Sequence, residues 1–470
     1  MEQRDLVVLG GGAGGLTISS VAAQLGLKVT LIEKEQKLGG DCLHYGCVPS
    51  KTLIKSAKVA SLMRRASDFG LENVEANINL EKISKHVQSV VEHIQQHDDP
   101  ERFRSYGCEV LFGNANFLDS HSIQINNQII KSKRFVIATG SRSFIPNIKG
   151  LSDIDYLTNV DIFSLKELPK HLVILGAGAI GVEMGQAFNR LGSKVTILQR
   201  ADRILPLDEK ELTDELKKVL IDEGIQIQTN TEAVNIYMNE KIINIKCSNG
   251  KTIEADKILV ATGRQANVEN LNLDRAGVNY SNKGISVDNR MRTSAKHIYA
   301  CGDVCGPYRF THMAEYQAGI VISNAIFRFP KKTNYRVVPW VTYTEPEMAH
   351  VGLTEQQALD KKLDINVLRF AFKDNDRALA EVETEGATKF ITHKGKIIGA
   401  SILGAHAGEL IHEIVLAMQT GAKISDISAA VHAYPTLAQI HRRTVNTAYA
   451  PKLFSAKTRW VVKWLNRLLP

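Results

Sequence analysis

Cys42 and Cys47 stand five positions apart in the stretch Gly39-Gly40-Asp41-Cys42-Leu43-His44-Tyr45-Gly46-Cys47-Val48-Pro49-Ser50-Lys51. Two thiols at that spacing can meet if they open a helix whose first turn is distorted, and a thiol at a helix N-terminus is expected to have a lowered pKa. The chemistry expected of them is reversible thiol–disulfide redox. Two other readings share the residue types. A zinc site needs two further ligands, which Cys301 and Cys305 could supply, although they flank a Gly302-Asp303 turn. A pair of inert core thiols is the remaining alternative. The apolar run Leu6–Leu9 is broken at once by Gly10, Gly11 and Gly12, which reads as strand and turn rather than as an export signal. No apolar run approaches the roughly 20 residues that span a bilayer. A reducing, cytoplasmic setting is therefore expected, in which a close cysteine pair is catalytic or metal-binding rather than structural.

The elements that would carry this stretch come from an internal duplication. Residues 4–34 read as strand, Gly-rich turn, helix and strand, and residues 171–199 repeat the order. Each copy is echoed downstream by a strand ending in Ala-Thr-Gly, at Phe135–Gly140 and at Ile258–Gly263. One G-x-G-x-x-G is weak evidence. Two copies in strand–turn–helix context, with the same echo, predict two dinucleotide-binding units.

In the first unit Gly10 allows the tight turn, Gly12 lets the backbone approach a pyrophosphate and Gly15 lets the helix pack on the strand. Glu33 follows Gly10 by 23 positions, where an acid can bond a ribose 2′-hydroxyl. The second unit has Gly176, Gly178 and Gly181, and the same count reaches Gln199, with Arg200 next and Arg203 one turn on. Loss of the acid and gain of guanidinium groups suit a 2′-phosphate, so NADPH is expected, with NADH possible if Arg200 is only a solvated charge.

At 470 residues the chain should hold about three domains. The fold class expected is α/β: two Rossmann-like dinucleotide-binding domains plus a C-terminal α+β domain. Residues 1–150 and 151–268 form the two dinucleotide units, and 269–337 is a central segment without a Gly-rich turn. Residues 338–450 follow, where alternating runs at Thr388–Thr392 and Lys396–Ser401 suggest antiparallel strands. The last stretch, 451–470, is a basic tail. The formal charge of +8 is uneven: no acid follows Asp426, whereas seven Lys or Arg do. This is a basic tail on an enzyme-like body, and no nucleic-acid partner is expected. Trp460, Val461, Trp464, Leu465 and Leu468 fall on one side of a tail helix, and Arg459, Lys463, Asn466 and Arg467 largely on the other. Docking on the protein itself is the expectation. The alternative is contact with a membrane surface, a position peripheral to the inner face of the membrane.

The motifs taken in order resemble the class I pyridine nucleotide–disulfide oxidoreductases, the family of glutathione reductase, dihydrolipoamide dehydrogenase and mercuric reductase. They are the Gly-rich turn, C-x4-C with Val48-Pro49-Ser50-Lys51, A-T-G, the second Gly-rich turn, A-T-G-R ending at Gly263-Arg264, and Tyr299-Ala300-Cys301-Gly302-Asp303, covering roughly residues 4–450. The resemblance implies FAD in the first unit and a homodimer built through residues 338–450. It implies Cys47 as the thiolate next to the flavin, Cys42 as the interchange thiol facing substrate, and Lys51 with Glu183 as an ion pair beside the flavin's reactive edge. Asp303 would bind the ribityl chain, and Thr139, Gly140 and Ala314 would line FAD. Electrons would pass from NADPH through FAD to the cysteine pair and on to an acceptor.

One motif departs from the disulfide-reducing members. They end in His-Pro followed by Glu, the His serving the partner subunit's cysteines as acid–base. Here the run is His432-Ala433-Tyr434-Pro435-Thr436-Leu437-Ala438-Gln439, with Tyr434 in place of the His and Gln439 in place of the Glu. Tyrosine titrates near pKa ~10 against ~6.5 for His, so Tyr434 is a poor base at neutral pH. Mercuric reductases share that loss, yet carry a further C-terminal cysteine pair, whereas the last cysteine here is Cys305. Mercuric-reductase-like transfer to a small-molecule or metal-ion acceptor, such as a quinone or reactive electrophile, is therefore the expectation. A disulfide reductase or dihydrolipoamide dehydrogenase with a displaced base, such as His432, is the alternative. A redox-sensing binding protein is the alternative of another class.

Overall fold

The computed structural model describes residues 3–468. The run Leu6–Leu9 forms a strand, β1, with every residue buried, as expected of a parallel strand covered on both faces. The chain turns through three glycines into helix α1, Ala13–Gln24, and returns as strand β2, Val29–Glu33. Two more helices follow at once, α2 at Gly40–His44 and α3 at Cys47–Arg64. The first sheet is parallel, in the order Ile298–Ala300, Phe135–Ile137, β1, β2, Cys108–Phe112. Its outer strand Ile298–Ala300 comes from the segment after the second unit, so the first sheet is closed by chain that returns from beyond the second.

The second sheet repeats the plan. Its parallel strands run Gln226–Gln228, Lys194–Leu198, His171–Leu175, Lys257–Val260, with the helix Ala179–Arg190 after the second Gly-rich turn. Each unit also carries a three-stranded antiparallel sheet before its Ala-Thr-Gly strand, within 115–131 and 233–255. The last domain is a five-stranded antiparallel sheet ordered Pro339–Thr342, Glu347–Gly352, Lys396–Gly404, Ala387–His393, Asn366–Ala371. The helix Ala407–Thr420 packs its Ile411 and Ile414 into that domain's core.

Ion pairs fix α3 against the other domains. Arg190 pairs with Glu223 at 2.6 Å and also with Glu345, and Lys58 of α3 bridges Glu345 and Glu383. Arg190 is buried, and burial alone would push its charge out. The two carboxylates more than offset that and raise its pKa. Gln186 donates to the Glu345 carbonyl at 2.7 Å and accepts from its N–H at 2.8 Å. The segment around Tyr343–Glu345 is thereby stitched to the helix bearing Glu183.

The tail forms the expected helix, Ala456–Leu468, but buries none of its residues on this chain. Within one chain the tail therefore leaves its apolar stripe uncovered. The turn at Leu453–Phe454 leaves both of those apolar side chains exposed and directs no tail residue into a core.

Candidate active site

Each Gly-rich turn is shaped by backbone crowding on one side and open space on the other. Gly10 has φ +110°, and a Cβ there would lie 2.3 Å from the Ala138 carbonyl oxygen. A Cβ at Gly15 would lie 1.9 Å from the Gly10 carbonyl oxygen. At Gly12, by contrast, the nearest atom would be Gly40 Cα at 3.8 Å. The second unit matches: a Cβ would meet Ala261 O at 2.5 Å from Gly176 and Gly176 O at 2.0 Å from Gly181, and nothing within 4 Å from Gly178. Gly12 and Gly178 also cap their helices without any side-chain hydrogen bond. Both helix N-termini therefore present backbone donors to open space, the arrangement that receives a pyrophosphate. Gly15→Ala should consequently yield protein that purifies without FAD, because a backbone atom cannot yield to the new Cβ. Gly178→Ala should keep FAD and raise KM for the nicotinamide coenzyme. The flavin absorbance per protein and steady-state kinetics check both.

The ends of the second strands differ as the sequence suggests. Buried Glu33 accepts from Gly11 N–H at 2.6 Å and from Glu35 N–H at 2.9 Å. Gln199 occupies the equivalent place, accepting from Ala177 N–H at 3.3 Å and donating to the Arg203 carbonyl at 3.1 Å. Arg203 turns its guanidinium onto the Pro206 and Asp208 carbonyls. Arg200 is exposed.

Cys42 lies within α2, and Cys47 is the first residue of α3. Both are free thiols, and each perturbs the ionisation of the other. The proton shared with Cys42 pulls the Cys47 thiol down to about 6, with Thr311 and Lys51 assisting against burial and Glu183. The same shared proton, with burial and the Cys47 charge, drives the Cys42 thiol strongly upward. The two shifts run in opposite directions, favouring ionisation of Cys47 before Cys42. Thr311, at the start of helix Thr311–Val321, places its hydroxyl 3.7 Å from Cys47 Sγ.

One turn along α3, Lys51 Nζ donates to Glu183 Oε2 at 2.9 Å and stands 4.4 Å over the Tyr343 ring. Glu183 is buried, and its other oxygen accepts from Tyr343 N–H at 2.8 Å. Behind Cys42, Asp41 pairs with Arg264 at 3.0 Å and accepts from Asn159 Nδ2 at 3.0 Å. Arg264 also reaches Ser141 and Asp303. Burial pushes the Asp303 carboxyl up, and Ser141 at 2.5 Å and Arg264 partly offset it. Thr139 and Asn267 exchange side-chain-to-carbonyl hydrogen bonds at 2.7 and 2.9 Å beside Gly140. Ala314 packs near Gly14 and Gly302, on the flank of the first turn. Gly263 has φ +141° and open space about it.

A match to the family model for pyridine nucleotide-disulphide oxidoreductases spans residues 4–318, and its dimerisation domain spans 338–444. The chain belongs to this family. It is 36% identical over 405 residues to a mercuric reductase of Staphylococcus aureus, covering 85% of this chain and 74% of that protein. Against a Bacillus cereus mercuric reductase the chain spans 64% of that protein's length. A dihydrolipoyl dehydrogenase of Geobacillus stearothermophilus is 36% identical over 457 residues, covering 95% of this chain and 96% of the other. The fold also superposes, at TM-score 0.86 and 27% identity, on a Cu(II) complex of the HOCl-induced flavoprotein disulfide reductase RclA from Escherichia coli. That match covers 95% of this chain and 100% of the other. The protein is thus an NAD(P)H-dependent flavoprotein oxidoreductase that uses FAD and carries the family's dimerisation domain, as a homodimer does. The glycine cradles and uncapped helix N-termini fit both dinucleotides.

Two positions singled out in the sequence stay apart from this cluster within one chain. Tyr434 is 69% exposed on the last domain. His432 is packed inward, its Nε2 at 3.1 and 3.3 Å from the two oxygens of Glu413. Cys301 is buried against the first Gly-rich turn, and Cys305 donates to the Gly302 carbonyl at 3.3 Å. Among the described residues no group of three or more His, Cys, Asp or Glu could hold a metal ion. Thr311, Tyr343 and Glu413 could not be singled out from the sequence, nor could the pairing of Arg264 with Asp41, because each meets its partner across many residues of chain and no local spacing marks it.

Proposed function

We propose that the protein carries electrons from NADPH through FAD to the Cys42–Cys47 pair and on to an acceptor that is not a disulfide. Bound FAD supplies the chemistry of taking a hydride from the nicotinamide and handing two electrons to sulfur. The chain's own part follows from the thiol asymmetry. Two electrons and one proton convert the Cys42–Cys47 disulfide to Cys42 thiol and Cys47 thiolate, the state that the shared hydrogen bond and Lys51 favour. Lys51 and Glu183, paired at 2.9 Å, would stand beside bound flavin and fix each other there. Cys42 would be the sulfur that meets the acceptor, as the family resemblance implies.

The observation that carries the choice of acceptor is the inward-turned His432, with Tyr434 alone presented at the family's acid–base position. Without a base of suitable pKa, protonation of a leaving thiolate is slow, a loss worth roughly 10²–10⁴ in rate. A thiophilic metal ion accepts electrons with no such proton. The names of the relatives, mercuric reductase and a Cu(II) complex of a disulfide reductase, support testing metal ions first. Under anaerobic conditions the NADPH-reduced enzyme should be reoxidised by Hg(II), Cu(II) or a quinone at least about 10²-fold faster than by lipoamide or glutathione disulfide. Equal rates with lipoamide would favour the second reading, a disulfide reductase. The His432–Glu413 pair is the observation on its side, since an imidazole held by a carboxylate is the composition of the missing acid–base group.

NADPH rather than NADH follows from Gln199 in the place of an acid, with Arg200 free to meet a 2′-phosphate. Arg200→Glu should lower kcat/KM for NADPH by about tenfold or more, the worth of a charged hydrogen bond, and raise it for NADH. Equal wild-type kcat/KM for the two coenzymes would refute the assignment.

A further inference from the structure

We propose that the tail helix Ala456–Leu468 seats the enzyme on an anionic lipid surface, lying flat in the headgroup layer. At 100° per residue, Trp460, Val461, Trp464, Leu465 and Leu468 share an arc of about 140°, while Arg459, Lys463, Asn466 and Arg467 share the arc opposite. Lys457 falls within the apolar arc at the first turn, where a lysine stem can lie along apolar surface and lift its ammonium to water. None of these residues is buried: Trp460 is 66% exposed, Trp464 51% and Leu468 59%. Leu453 and Phe454, just upstream, extend the same uncovered apolar surface. A contiguous apolar patch edged by charge marks an interaction site.

The charges select the occupant. Lys452, Lys457, Arg459, Lys463 and Arg467 are accompanied by no acid after Asp426, and the rest of the chain is close to neutral. A second copy of the chain, close to neutral outside its own tail, brings no net negative charge to these cations, whereas anionic headgroups attract every one of them. Two of the chain's three tryptophans sit here, and indoles settle at the boundary between acyl chains and headgroups. The helix cannot cross: thirteen residues reach about 20 Å against the ~30 Å of a hydrocarbon core. No helix among the described residues is long and apolar enough to span. Contact with lipid also explains how so short a helix, marginal alone in water, keeps a fully uncovered stripe.

The test uses the full-length holoenzyme and vesicles of phosphatidylcholine, alone or with a quarter phosphatidylglycerol. Co-sedimentation is expected only with the anionic vesicles, weakening with added salt. The tryptophan emission should shift to the blue, since Trp460 and Trp464 dominate it. Arg459→Gln with Lys463→Gln, and separately Trp460→Ala with Trp464→Ala, should each weaken vesicle binding by at least about tenfold. Flavin content and NADPH oxidation should stay unchanged, which shows that the variants fold. Absence of binding to anionic vesicles, or binding by both double variants as tight as that of the wild type, overturns the proposal. So does a fall in melting temperature or dimer stability in the variants without vesicle binding, which would assign the stripe to a protein surface.

Discussion

Cys42→Ser should hold a permanent thiolate at Cys47, and Cys47→Ser should hold none. In the first variant the partner that shares its proton becomes a hydroxyl, and Thr311 and Lys51 still favour the anion. The protein as purified should then show long-wavelength absorption, from a thiolate against bound FAD, without added reductant. Cys47→Ser removes the sulfur that carries the charge, and the band should be absent even after NADPH reduction. Both variants lose the disulfide and so should lose acceptor turnover altogether, while NADPH still bleaches the flavin. If both keep the wild-type spectrum on reduction, the assignment of thiolate and thiol is wrong.

The double substitution Tyr434→His with Gln439→Glu should create disulfide reductase activity. It places an imidazole at an exposed position where Tyr434 now stands, and a carboxylate at the start of the helix Gln439–Asn446 to orient it. An imidazole, able to take up and release a proton near neutrality, replaces a phenol. The gain expected in lipoamide or glutathione disulfide turnover is about 10²-fold or more, with little change for metal-ion acceptors. A gain confined to the background His432→Ala would mean that His432 already serves as base. No gain in either background would mean that Tyr434 does not reach the partner's cysteines.

The parts legible in sequence were those carried by local spacing. Two Gly-rich turns predict two parallel sheets, and the same turns appear with the same crowded and open glycines. The Ala-Thr-Gly echoes fall on Phe135–Ile137 and Lys257–Val260 beside the first strand of each unit. The antiparallel domain was visible from alternation at Thr388–Thr392 and Lys396–Ser401. What could not be read were contacts made by closure of the fold. Thr311 meets Cys47 across 264 residues, and Arg264 meets Asp41 only because the second unit folds back on the first. The two three-stranded sheets were missed because their strands are short and irregular, with shifted registers near Phe117 and Ala233. The tail illustrates a different limit. Its periodicity gave the helix and its stripe, but periodicity cannot say what covers an apolar face.

Reduction is expected to leave the negative charge on Cys47 and the proton on Cys42. The most direct measurement is anaerobic reduction with one equivalent of NADPH across a pH series, following long-wavelength absorbance and the rate of iodoacetamide labelling at each cysteine by peptide mass. Cys47 lies below the ordinary thiol pKa, so its thiolate should be present at neutral pH and lost as pH falls through about 6. The absorbance should fall over that window, and labelling of Cys47 should slow with it. Cys42 should stay protonated well above neutrality and label only when Cys47 is blocked or replaced. An absorbance that survives unchanged well below pH 6, or that appears only as pH rises towards the ordinary thiol pKa of about 8.5, would contradict the account, as would labelling led by Cys42.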